Sequence, residues 1–344
     1  MSDLRFAYLS NHISGAVKLD FLAARGVLPA ALITLSPVDA AKHGVAGYHD
    51  FSADAARYAI PLHVASSFTL DDPVDHQFLV ECGCDLLLVS GWQRLIPAAV
   101  LAQFPLGVVA EHGSAEYLPR GRGRSPVCWS LLAGRPRFIV HLFMADEAAD
   151  AGAVIDCAAV DVNEFDDVYT VYAKIGMVSG MLFLRHRQAL AAGGCRAMPL
   201  APVPPSYYRK RGPADDWIDW AGSSTRQIHD HVRATTRPYP GAKTRAGGDV
   251  VVVWRAQPFA HSLLDDSTAV PGQVLARLPD GSLVTKTTDG SLLLRDYSCP
   301  RPIVRGSAWD DLEMRPGAAV RGLSERNRCG RVPCAALRPV HSGA

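Results

Sequence analysis

His112 and Asp150 are the side chains of this chain best suited, by type and setting, to proton transfer. His112 follows a β-rich run, 107–111, and precedes Gly113 and Ser114. Asp150 lies in ADAGAVI (149–155), just ahead of Gly152, whose backbone freedom permits a tight turn into the next strand. An imidazole exchanges protons near neutral pH, and a carboxylate beside it orients the ring and favours its charged form. Each residue also has an ordinary reading: a hydrogen-bonded histidine at a strand end, and an aspartate capping a turn. Between them runs LPRGRGRSP (118–126), in which Arg120, Arg122 and Arg124 suit either a phosphate or a solvated loop held by its glycines. Ser125 before Pro126 predicts a helix start, with an N-cap and a proline at the first helical position.

The elements that must carry these residues alternate. Runs at 4–9, 29–35, 60–65, 85–89, 107–111, 138–144 and 154–160 read as strands. Helix-like runs at 17–24, 74–81, 97–103, 125–133 and 168–192 separate most of them. This alternation predicts an α/β fold with a doubly wound, mostly parallel sheet, which binds ligands beyond the carboxyl ends of its strands. Segment 196–208 carries Pro199, Pro202, Pro204 and Pro205 and predicts a semi-rigid linker. A helix over 224–235 and short strands at 250–256, 272–277, 282–287 and 291–296 follow, with turns at PDG (279–281) and TDG (288–290). They predict a smaller, mainly β, open-barrel-like domain. The expected division is a catalytic domain over 1–195, the linker over 196–208, the β domain over 209–300 and an irregular tail over 301–344. Trp217 and Trp220 are expected in the second core. His229 and His231, two apart, are expected on the surface.

Composition narrows the function. Lys and Arg number 35 against 34 Asp and Glu, so a net charge of +1 gives no bias toward nucleic acid. No apolar run reaches about 18 residues, and MSDLRFAYLS lacks the features of a signal peptide, so neither a membrane span nor export is expected. Eight cysteines are scattered without a CxxC pair, which reads as reduced thiols in a cytoplasmic protein. Cys329 and Cys334 lack further ligands at suitable spacing, so no metal site is expected.

The string GVVAEHGSAEYLPRGRGRSPVCWSLLAG (107–134) resembles the signature of the 10-formyltetrahydrofolate-dependent formyltransferases. That family includes methionyl-tRNA formyltransferase, glycinamide ribonucleotide transformylase and the aminosugar N-formyltransferases. His112, Ser114, Leu118, Pro119, Arg122, Gly123 and Pro126 stand at the pattern's positions, as do Asp150 and Gly152. DLLLVSGWQRLIP (85–97) resembles the strand and loop that cradle the pterin ring. WIDW (217–220), VRATTRPYPGA (232–242) and VVWRA (252–256) resemble the C-terminal domain of the methionyl-tRNA and aminosugar branches. The resemblance implies a folate-dependent N-formyltransferase with 10-formyltetrahydrofolate as cosubstrate. The acceptor it implies is a primary amine of a small molecule, such as a nucleotide-linked aminosugar or an intermediate of secondary metabolite biosynthesis. It implies His112 as proton shuttle and Asp150 as its orienting partner. Leu88, Ser90, Gly91, Trp92, Leu95 and Asp150 would surround the folate. Asn11, His12, Ser114 and Arg122 would surround the substrate. It also allows a homodimer through the second domain. The tRNA branch carries a basic insertion after the second strand, whereas SPVDAAKHGVAGYHDFSADA (36–55) has one lysine, so no nucleic-acid partner is expected.

One position departs from the pattern. The family has an asparagine two residues before the histidine, donating to the oxyanion; position 110 here is alanine. Residues 110 and 112 point to one side of a strand and Glu111 to the other, so Glu111 is no simple substitute. Removing one oxyanion donor typically costs about a hundred- to a thousandfold in rate. Three readings stay open. The donor comes from elsewhere, such as protonated His112, a backbone N–H or an ordered water. Alternatively the scaffold runs a different one-carbon or acyl transfer, or hydrolyses formyltetrahydrofolate. Lastly, it binds folate without turnover, against which the retention of both His112 and Asp150 weighs.

Overall fold

Short runs rich in Val, Leu and Ile become the inner strands of a seven-stranded sheet. The computed structural model describes residues 4–264 and 268–309. In chain order the first part runs β1 (Phe6–Ser10), α1 (Ile13–Ala23), β2 (Ala31–Thr34), α2 (Pro37–His43), α3 (Ser52–Tyr58), β3 (Leu62–Val64), α4 (Pro73–Glu81), β4 (Leu86–Ser90), α5 (Ala98–Leu101) and β5 (Val108–Ser114). It continues with β6 (Arg122–Gly123), α6 (Pro126–Leu132), β7 (Arg137–Met144), β8 (Val154–Asp161) and α7 (Val168–Ala191). The spatial order is β3-β2-β1-β4-β5-β7-β8. Neighbours from β3 to β5 pair in parallel, while β7 is antiparallel to both β5 and β8. The order reverses between β1 and β4, where a doubly wound sheet leaves a crevice beyond its strand ends. Apolar side chains alternate between two cores: Phe6, Tyr8 and Val109 lie on the α1/α7 side, and Ala7, Leu9 and Val108 on the other.

Several expectations shift. The helix expected from 17 starts at Ile13, because His12 caps it by accepting the Ser14 N–H. Two helices, α2 and α3, occupy a segment that showed no periodicity; each buries a single residue, Ala40 or Ala55, so no apolar stripe exists to be read. Ser125 does stand at the start of α6, but with φ of 56° and no side-chain cap bond. The strand expected to end before His112 runs on through it to Ser114.

Beyond α7, Met198 bridges to Val154, and β9 (Tyr207–Tyr208) pairs with β6. The proline-rich segment is therefore anchored at its two ends, at Met198 and at Ser206–Tyr208. Then come α8 (Thr225–Thr235), held by a capping box between Ser224 and Gln227, β10 (Ala242–Ala246), β11 (Asp249–Phe259), β12 (Val274–Arg277), β13 (Leu283–Lys286) and β14 (Ser291–Ser298). The five strands form an antiparallel sheet in the order β10-β11-β14-β13-β12. Trp220 is in its core and donates to Thr244, whereas Trp217 is only partly buried, under the Arg245 guanidinium. Ile303 and Trp309 also enter this core, so the described residues 301–309 of the expected tail pack against the second domain. His229 and His231 are not surface residues: α8 packs on α6 as well as on β11, which covers both. Cys329 and Cys334 lie outside the described residues. No helix among the described residues is long and apolar enough to cross a membrane.

Candidate functional site

β5 outruns its neighbour. β4 pairs with it only from Val108 to Ala110, and then turns away at Gly91, whose φ is 69°. The remaining residues of β5, 111–114, keep β7 on one side and have no paired strand on the other among the described residues. A cavity of about 890 Å³ wraps round this end of β4. On one face of the sheet its wall includes Trp92, Ala110, His112, Phe143 and Asp150. On the other it includes Glu111, Phe138, Val140, Tyr172 and Ile175.

The two residues singled out for proton transfer meet there. His112 Nδ1 is 3.4 Å from Asp150 Oδ2. His112 Nε2 is 2.8 Å from the Gly121 carbonyl oxygen, which can only accept, so Nε2 carries a proton and Nδ1 is the nitrogen free to exchange one. Asp150 has φ of 51°, a left-handed conformation that an aspartate tolerates better than most residues. The Gly123 N–H donates to its Oδ2 at 3.3 Å. Two residues on, a Cβ at Gly152 would fall 1.6 Å from the Met144 carbonyl oxygen, so the chain can pass only with glycine there.

Around this pair stand two neutral histidines. His141, opposite His112 on β7, is pushed down to about 4 by burial and then by the neighbouring His112; it accepts the Leu118 N–H. His12, also in the cavity wall, is lowered to about 4 by burial and then by His49. Its ring meets Tyr172 edge-on at 4.5 Å, and the Tyr172 hydroxyl lies 2.6 Å from that of Tyr239. A Cβ on Gly91 would fall 2.5 Å from the His12 Cβ, which explains a glycine at the end of β4.

The cavity takes in His12, Gly91, Trp92, Leu95, His112 and Asp150 from the predicted set. It does not take in Leu88, Ser90, Asn11, Ser114 or Arg122. Leu88 belongs to the core on the α1 side. Ser90 donates to Glu111, and Ser114 donates to the Glu116 carbonyl. Asn11 is fully buried after β1, and Arg122 reaches out to the Tyr207 hydroxyl. Arg124 does line the cavity and donates to Gln93, so one arginine of the loop meets the site. Sequence reasoning missed Glu111 and Lys18. Lys18 Nζ, with a fully buried side chain, lies 2.7 Å from Glu111 Oε2, and only the strand's alternation hinted at a separate face. The side expected to hold a flat ring is a slot: Val89, Trp92, Ile96, Phe143 and Ala145 are apolar walls, and the buried Trp92 Nε1 has no partner among the described residues.

The formyl transferase model matches residues 45–185, and the formyl transferase C-terminal domain model matches residues 211–305. Among solved structures, the chain is similar to HypX from Aquifex aeolicus in complex with tetrahydrofolic acid, with a TM-score of 0.64 and 19% identity over 87% of this chain. That match covers 45% of the HypX chain, so the present chain spans less than half its length. An N-formyltransferase from Helicobacter canadensis, in complex with folinic acid and dTDP-3-aminofucose, matches with a TM-score of 0.55 and 12% identity over 85% of this chain and 98% of that one. A sugar N-formyltransferase from a Shewanella species matches with 0.54 and 14% over 73% and 96%. At such identities the shared property is the fold.

Proposed function

This chain belongs to the formyl transferase family, and on that premise we propose that it transfers the formyl group of 10-formyltetrahydrofolate to a primary amine of a small molecule. A nucleotide-linked aminosugar and an amine of secondary metabolism are the acceptor classes in view. The observation that carries the reading is His112 Nδ1 facing Asp150 inside the cavity, with Nε2 tied to a carbonyl.

The free amine attacks the formyl carbon, and the carbonyl electrons move to oxygen, giving a tetrahedral oxyanion. A proton leaves the new ammonium nitrogen for His112 Nδ1, with Asp150 stabilising the imidazolium. The carbonyl re-forms, the bond to the folate N10 breaks, and the same proton returns to N10. The products are an N-formyl amine and tetrahydrofolate. The apolar slot beside Trp92 and Phe143 would hold the pterin by stacking, with Gly91 letting the backbone approach. Six free cysteines among the described residues support a reducing, cytoplasmic setting.

Ala110 favours a second reading. It lines the cavity without a donor, and the His112 Nε2–H is already committed to Gly121. The alternative raised by this departure from the family pattern is hydrolysis of formyltetrahydrofolate or a different one-carbon or acyl transfer, and since both pass through the same oxyanion the nucleophile must be identified by experiment. Incubation with 10-formyltetrahydrofolate and candidate amines, followed by absorbance of released tetrahydrofolate, separates the two. Release that requires an amine and vanishes in His112→Ala supports formyl transfer. Release without amine means hydrolysis, and undiminished release in His112→Ala sinks the mechanism.

A further inference from the structure

Glu111 is a carboxylate in a place built for apolar side chains. It sits on β5 opposite Leu142, on the face that carries Val109, Phe138 and Val140. Its side chain is 6% exposed and that of Lys18 is 0% exposed. Removing two charges from water is costly, and an apolar pair of similar volume is typically as stable or more so. Stability is therefore a poor reason for this pair. Its position offers another, because Glu111 is in the cavity wall while Lys18 lies wholly behind it.

The carboxylate is held from two directions. Lys18 Nζ binds Oε2 at 2.7 Å, and Ser90 Oγ donates to Oε1 at 2.5 Å. A carboxylate offers about four acceptor sites, so two bonds leave capacity for a third partner. Nearby groups are otherwise engaged: the Tyr8 hydroxyl donates to the Gly15 carbonyl, and His12 Nδ1 is bound by Ser14. Next to Glu111 the wall is apolar or aromatic, formed by Phe138, Val140, Tyr172 and Ile175, and farther along the cavity Arg211 and Lys243 pair with Asp216. Lys18 cancels the charge of Glu111, so this carboxylate accepts hydrogen bonds without adding net charge to the wall.

We propose that Glu111 is a specificity residue for the acceptor, receiving a hydrogen bond from a hydroxyl or amino group on an apolar or aromatic body. The reacting amine then points round the end of β4 toward His112 and Asp150. This rests on the formyl-transfer reading of the same site, and it narrows the acceptor to an amine that carries a second donor. A preset acceptor of this kind discriminates strongly, because an analogue without the donor leaves the carboxylate desolvated and unpaired.

The test uses the full chain and two amines that differ by one donor, 4-hydroxyphenethylamine and phenethylamine. The proteins are wild type, Glu111→Gln, and the double variant Lys18→Met/Glu111→Leu, which replaces the ion pair with an apolar one. Product is followed as tetrahydrofolate release and as N-formyl amine by mass. The expected result is that wild type prefers the hydroxylated amine in kcat/KM by about tenfold or more. That preference shrinks in Glu111→Gln and disappears in the double variant. An unchanged ratio in the variants overturns the proposal. If neither amine is formylated, formyl transfer to this class has failed, and calorimetric binding with tetrahydrofolate present decides the role of Glu111 separately. Tighter binding of the hydroxylated amine by wild type alone sustains it, whereas equal binding across the proteins, or no binding of either amine, overturns it. Should the double variant not fold, Glu111→Gln decides by the same comparison.

Discussion

Asp150→Asn isolates the charge of the His112 partner from its shape. Asparagine tolerates the left-handed φ of 51° that this position requires, so the backbone is expected to survive the change. The amide can still accept the Gly123 N–H. What is lost is a full negative charge 3.4 Å from His112 Nδ1. Coulomb's law at an effective dielectric of about 20 assigns such a pair about 5 kcal/mol when the ring is protonated. Asp150 is one-fifth exposed, so solvent screens part of this, leaving about 2–4 kcal/mol for the imidazolium formed during transfer. That range corresponds to a fall in kcat of about thirty- to a thousandfold. Because the charge matters only once His112 takes the proton, KM for 10-formyltetrahydrofolate is expected to change little. Stopped-flow measurement of tetrahydrofolate formation under single-turnover conditions reads the chemical step directly. A variant that keeps more than about a third of the wild-type rate would refute the argument that Asp150 acts by stabilising charge on the ring.

Three further outcomes follow from the same geometry. Gly152→Ala forces a Cβ to within 1.6 Å of the Met144 carbonyl oxygen, so the turn after Asp150 must move; a loss of about 1–3 kcal/mol or more in urea unfolding is expected, together with loss of activity. His12, His141 and His231 are each held near 4, against the usual 6.5, chiefly by burial. Each binds its proton more weakly folded than unfolded, so its contribution is full above pH of about 6.5 and is lost as pH falls toward about 4. Urea midpoints at pH 7, 5.5 and 4.5 should therefore decline together, and a flat series contradicts neutral buried rings. Ala110→Asn restores a donor in the cavity wall and is expected to raise the amine-dependent kcat about tenfold or more; an unchanged kcat would mean that the site supplies its own donor.

Much of the fold was legible because most inner strands carry a short, largely apolar run and α7 shows an unbroken helical pattern. Strand β4 and helix α7 appear almost as expected, since burial on both faces or along one stripe leaves a plain mark. What escaped were elements without such a mark. Helices α2 and α3 each bury one alanine, and strand β10 buries two of five residues. The reversal of β7 was illegible for a different reason. Strand direction depends on how the intervening chain crosses the sheet, and β6 and α6 are both too short to reveal that.

The site divides along the same line. His112 and Asp150 could be picked out because their types suit one chemistry and their neighbours repeat a known pattern. Their mutual arrangement could not be read, since it depends on two backbone facts: the carbonyl of Gly121 beside Nε2, and the left-handed turn that brings Asp150 to Nδ1. Neither has a residue type that announces it. Glu111 is the opposite case. Its type was visible and its face was correctly assigned, yet its meaning lay in a lysine 93 positions away on α1. A lysine on a short helix ordinarily reads as solvated, and only the close packing of α1 against α7, where Gly176 and Gly180 meet Val17 and Phe21, makes Lys18 wholly buried. The alternation that removed Glu111 as a stand-in for the missing oxyanion donor thus places it on the other side of the cavity. There a carboxylate fixed by a buried cation and a serine hydroxyl is suited to selecting an acceptor, while His112 and Asp150 are suited to moving its proton.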